Sequence, residues 1–82
     1  MSSVVLSAHA REMLEERHIR EEWLWQAIES PDSTAIGSDG NRHCLRAVEE
    51  REGRVLHVVI NDSVEPGRVV TVFLDRRFRR QP

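Results

Sequence analysis

Apolar positions along the chain follow two periods, and the change comes at Pro31. Before it, Ala10, Met13, Leu14 and then Arg17 keep helical spacing. That stripe predicts a first helix opening after Ser7, whose hydroxyl can accept from an otherwise unpaired amide of the first turn. His18 and Ile19 interrupt the pattern. A second stripe, Trp23, Leu24, Ala27 and Ile28, predicts a helix over Glu21–Ser30. Glu21 and Glu22 stand where the helix dipole favours acids, and Pro31 marks the end. Arg20 is a poor cap, which leaves the start of this helix loosely specified.

After Pro31 the pattern alternates. "STAIG" reads as a short edge strand, "SDGN" as a turn and "RHCLRAVE" as a strand. "EREG" and "DSVEPG" are turns around the strongly branched "RVLHVVIN", and "RVVTVFLD" is the last strand. Two helices followed by strands in hairpin succession predict an α+β fold. The expected architecture is one domain, residues 1–82, with the helices on one face of a three- to four-stranded antiparallel sheet and the other face partly open.

Alternation also assigns side chains to faces. Leu56, Val58 and Ile60 share one side of their strand, as do Val70, Val72 and Leu74. These six are the expected core, with Leu45 and Ala47 joining them. On that assignment Cys44, Arg46 and Val48 point away from the helices. Val55, His57, Val59, Val69, Thr71 and Phe73 then belong to the bare face, where Arg46, His57 and Thr71 are expected to meet. A one-residue slip in any strand would reverse all its side chains.

Charge sharpens the picture. The net charge is −2, yet residues 1–41 carry three Arg against eight acids (−5) and residues 42–82 nine Arg against six (+3). The C-terminal half is therefore arginine-rich, densest in "RRFRR" from Arg76 to Arg80. A single cysteine excludes an internal disulfide. "LHVVI" and "VVTVFL" fall far short of the roughly 20 residues that span a bilayer, and no basic start followed by an apolar run marks an export signal. The expectation is a cytoplasmic protein with no membrane partner. His43 and the neighbouring Cys44 point to opposite sides of a strand, and no Cys-x-x-Cys or His-x-x-x-His spacing occurs, so neither metal nor cofactor is expected.

The stretch "LSAHAREMLEERHIREEWLWQAIESPD" is similar to the opening of an uncharacterised family, DUF4258, with its Ser-x-His-Ala piece (Ser7, His9, Ala10) and its Glu-Arg-x-Ile piece (Glu16, Arg17, Ile19). The likeness continues through an Arg-bearing strand, a Val-rich strand and a Val-Thr-Val strand. His18 stands where the family usually has glycine, which implies a left-handed residue ending the first helix. The resemblance implies kinship with the BrnT and RelE groups of small toxins that cleave messenger RNA, and hence an antitoxin and RNA as partners.

From the residues, Ser7, His9 and Arg17 are expected to be structural. His9 would tie the first helix to the sheet or to the second helix, and Arg17 would clamp a carboxylate or a carbonyl. Metal-free RNA cleavage needs a base, an acid and a cation beside the phosphate. Arg46 and His57 are the expected catalytic pair, with Arg76, Arg77 and Thr71 on the phosphate and Phe73 or Phe78 stacking a base. This arrangement requires Arg46 and His57 to emerge together on the bare face. The leading expectation is thus a toxin-type ribonuclease or its inactive relative. The competing one is a non-enzymatic interaction module that uses the open sheet face and an exposed tryptophan of the second helix to bind another protein or a second copy. Trp23 and Trp25 lie two residues apart, so one of them is expected to be exposed.

Overall fold

The computed structural model describes residues 4–79. In chain order the elements are β1 (Val4–Leu6), α1 (Ala8–Glu16), α2 (Glu21–Glu29), β2 (Ser33–Ile36), β3 (Arg42–Val48), a short 3₁₀ turn (Glu49–Arg51), β4 (Arg54–Asn61) and β5 (Gly67–Arg79). The strands form one sheet in the order β1-β5-β4-β3-β2. The α+β class and the two helices are as the sequence predicts. The sheet, however, has five strands and is mixed, because β1 pairs parallel to β5 (Val4↔Gly67 to Leu6↔Val69). The strand is only three residues long, too short for alternation to announce it.

Helix ends follow local chemistry. Ser7 caps α1 by accepting from the Ala10 amide at 3.0 Å. At the other end His18 is left-handed (φ 54°), and the Ile19 and His18 amides donate to Leu14 O and Glu15 O. This pair of bonds is a Schellman closure, which satisfies carbonyls the helix leaves open. It drives Ile19 into the core, 4% exposed. Arg20 provides no side-chain cap for α2.

The core lies between the helices and one sheet face. Ala10, Leu14, Trp23, Leu24 and Ala27 meet Cys44, Val48, Leu56, Val58, Ile60, Val69 and Val72. The β4 assignment holds, but two others do not. In β3, Cys44 pairs with Val58 and Arg46 with Leu56, so Cys44, Arg46 and Val48 lie on the helix side while Leu45 and Ala47 take the bare side. Small Cys44 fits beneath α2, and Arg46 reaches the helix end, donating from Nη1 to Ser30 O. In β5, the register steps from Val59↔Thr71 to Ile60↔Val69, leaving Val70 as a bulge. Val69 therefore replaces Val70 in the core, since one inserted residue reverses parity beyond it.

Trp23 is buried and Trp25 half-buried, its Nε1 donating to Glu21 Oε2 at 3.0 Å. Neither ring is the freely exposed one the spacing suggested, because Trp25, although on another side of α2 from Trp23, still packs against the margin of the core. Among the described residues, no helix is long and apolar enough to cross a membrane.

Candidate functional site

On the bare side of the sheet, β3, β4 and β5 bring a line of polar groups together. Strand pairing sets His57 opposite Leu45 on one neighbour and Phe73 on the other. His43 and Asp75 stand one same-face position away, in opposite directions along the strands. His43 Nδ1 lies 2.7 Å from His57 Nε2, and His57 Nδ1 lies 2.9 Å from Asp75 Oδ2. The far nitrogen of His43, Nε2, lies 3.2 and 3.3 Å from the two carboxylate oxygens of Asp39 in the β2–β3 turn. Arg77 closes the other end, donating Nε–H and its backbone N–H to Asp75 Oδ1 (3.0 Å each) and Nη2–H to Oδ2 (2.9 Å). The result is a continuous chain, Asp39–His43–His57–Asp75–Arg77.

Burial grades along that chain. His57 and Asp75 are 6% and 4% exposed, whereas the side chains of His43, Asp39 and Arg77 are 24%, 48% and 73% exposed. Asp75 is held far below the ordinary carboxylate range, foremost by the Arg77 side chain and then by His57 and the Arg77 amide, against the opposing effect of burial. Asp39 is also lowered, first by the Asn41 amide and next by His43. Both carboxylates are thus ionised and can only accept hydrogen bonds.

Nε2 of His43 and Nδ1 of His57 each face a carboxylate to which a ring N–H can donate. The 2.7 Å contact joins the two inner ring nitrogens, and the tautomers set which of them donates.

Local sequence explains the assembly. Gly37 leaves room for the turn, since a Cβ there would lie 2.6 Å from His43 Nε2 and 2.8 Å from Asp39 Oδ1. At the other end the register passes from Val55↔Asp75 directly to Arg54↔Arg79, so Arg76, Arg77 and Phe78 face a single step on β4. Such irregularities re-aim side chains. Here Arg77 folds back onto Asp75, while Arg76 and Phe78 line a cavity together with Arg17, Arg54, Leu74 and Asp75.

The expected site is only partly assembled. His57, Thr71, Phe73 and Arg77 do share the bare face, with Phe73 against the His57 ring (centroids 4.8 Å apart, planes 30° apart). One face of Phe73 is thereby occupied by protein. Arg46 is on the opposite side of the sheet from His57, so the expected catalytic pair does not exist. Arg76 likewise leaves the group. Ser7 caps α1. His9 and Arg17 are not the anchors that were expected: both are exposed, and among the described residues neither side chain makes a hydrogen bond or ion pair.

Sequence reasoning missed Asp39, His43 and Asp75. Asp75 was within reach, because it follows Phe73 by two and must share the face of His57. His43 was lost with the inverted parity of β3. Cys44 is fully buried, and burial pushes its thiol pKa up, which leaves it no nucleophilic role.

A family model described as a domain of unknown function, DUF4258, matches residues 6–74. The chain belongs to this DUF4258 family. No curated protein and no solved structure matches it. The matched span of this DUF4258 domain includes Asp39, His43 and His57 and stops one residue before Asp75.

Proposed function

We propose that this DUF4258 domain acts on RNA by metal-independent acid–base chemistry, as a toxin-type endoribonuclease related to the BrnT and RelE groups. One observation carries the reading: the buried Asp75 carboxylate lies 2.9 Å from His57 Nδ1, and His57 Nε2 in turn lies 2.7 Å from the partly exposed His43. This is the logic by which an acid–base group is held ready on a protein surface.

The chemistry needs His43 Nε2–H to turn from Asp39 to the substrate. Attack by a ribose 2′-oxygen forms the new O–P bond as the bond from phosphorus to the 5′-oxygen breaks. His43 gives its Nε2 proton to that leaving oxygen, and Asp39, set free, takes the proton of the 2′-hydroxyl. His57 and Asp75 are positioning residues. Arg77 keeps Nη1 unspent after its bonds to Asp75 and meets the charge on the phosphate. An aspartate held below its ordinary range is a weak base, so slow turnover is expected.

A second reading, a non-enzymatic interaction module on the same face, is favoured by a different fact: every ring nitrogen of His43 and His57 is already bonded. Induced expression separates the two. Growth arrest with fragmented transcripts, relieved by His43→Gln and by His57→Gln, supports the enzyme. Normal growth with intact RNA, together with a stable complex with another protein in pull-down, supports the module.

A further inference from the structure

A cavity of about 690 Å³ opens on the helix side, at the end where α1 stops and β5 begins its last turn of pairing. It is lined by Arg17 at the C-cap of α1, Arg54 at the start of β4, and Leu74, Asp75, Arg76 and Phe78 of β5. Its size falls within the range of small-molecule sites. Arg17, Arg54 and Arg76 are exposed, and among the described residues none of the three side chains has a hydrogen-bond or ion-pair partner. The one acid in the lining, Asp75, spends its carboxylate on His57 and Arg77. Three uncompensated guanidiniums from three elements therefore converge on one concavity.

Guanidinium groups recognise phosphate through paired N–H donors, and three of them exceed what a singly charged carboxylate needs. Phe78 adds a second kind of recognition. Its ring is 43% exposed, and the Arg77 guanidinium carbon lies 5.5 Å from its centroid, which steadies it from one side. An aromatic face beside a cationic pocket suits a base attached to a phosphate.

We propose that this cavity binds a nucleotide unit, with the phosphate among Arg17, Arg54 and Arg76 and the base against Phe78. The unit comes either from a free nucleoside phosphate or from a single-stranded RNA. The cavity shares Asp75 with the acid–base chain, and Arg77 of that chain backs Phe78, but Asp39, His43 and His57 do not line it.

The test is binding by the full chain to three probes: inorganic phosphate, AMP and a short labelled oligoadenylate. Arg17→Ala, Arg54→Ala and Arg76→Ala should each weaken all three by about fivefold or more. Phe78→Ala should weaken AMP and oligoadenylate and leave inorganic phosphate unchanged. Oligoadenylate binding with a salt dependence that falls with each arginine removed identifies the strand as the source. AMP binding as tightly as the oligomer identifies the free nucleotide. His43→Gln, at a ring that touches no residue of the cavity lining, should bind all three probes like the original protein, so loss of cleavage and loss of binding are read separately. No binding of any probe, or undiminished binding by the triple arginine variant with its thermal unfolding unchanged, overturns the proposal.

Discussion

Nδ1 of His43 and Nε2 of His57 lie 2.7 Å apart, and each ring is held at its far nitrogen by a carboxylate. The two rings therefore form one hydrogen-bonded unit. Ring ¹⁵N spectroscopy checks this directly: His57→Gln should move the resonances of both His43 ring nitrogens. His43 signals left unmoved by His57→Gln in a folded variant would contradict the contact.

Asp75 ties stability to acid pH. Its folded-state pKa is depressed, foremost by Arg77. A depressed carboxylate contributes stability that is fully present above its unfolded pKa of about 4 and is lost as pH falls through the folded value. Asp75→Asn should therefore destabilise the protein at neutral pH by about 2 kcal/mol, since it weakens charge-assisted bonds at a buried site. The variant should also lose stability less steeply than the original between pH 4 and pH 2. Urea unfolding across that range measures both effects.

Gly37 is held by sterics rather than by backbone strain. A methyl group there would meet His43 Nε2 at 2.6 Å and Asp39 Oδ1 at 2.8 Å. Gly37→Ala should push the turn away, break the Asp39–His43 contact and cost about 1 kcal/mol. The His43 ring resonances and the melting temperature report the two consequences separately.

Much of the architecture was legible from residue spacing, and the failures share one cause. β4 was readable because Leu56, Val58 and Ile60 are all apolar on the helix side. In β3 both faces carry one small apolar residue and one larger one, so nothing in Cys44, Leu45, Ala47 and Val48 favours one parity over the other. The deciding interaction is tertiary: Arg46 reaches the end of α2, and Asp32 accepts from the Ala47 amide at 2.8 Å. Bulges hid the rest. Val70 interrupts β5 silently, and the three-residue step before Arg79 decides where Arg76 and Arg77 point. The candidate site suffered most because it gathers single residues from three strands and a turn, each dependent on register.

Arg46 supplies a control. Its guanidinium satisfies the Ser30 carbonyl at the C-terminal end of α2. Arg46→Ala should lower stability by about 1 kcal/mol, the scale of one helix-end hydrogen bond, and leave any action on RNA unchanged. Thermal melts and RNA incubation together read this. Loss of activity in a variant that is still folded would return Arg46 to the chemistry.

The most direct test of the acid–base account is incubation of the purified protein with single-stranded RNA in excess chelator, followed by analysis of the new ends. Transfer to the 2′-oxygen predicts slow cleavage leaving 2′,3′-cyclic phosphates, reduced about a hundredfold or more by His43→Gln, a loss typical of removing a positioned acid or base. RNA left intact by the original protein, or cut at an undiminished rate by folded His43→Gln, would contradict it.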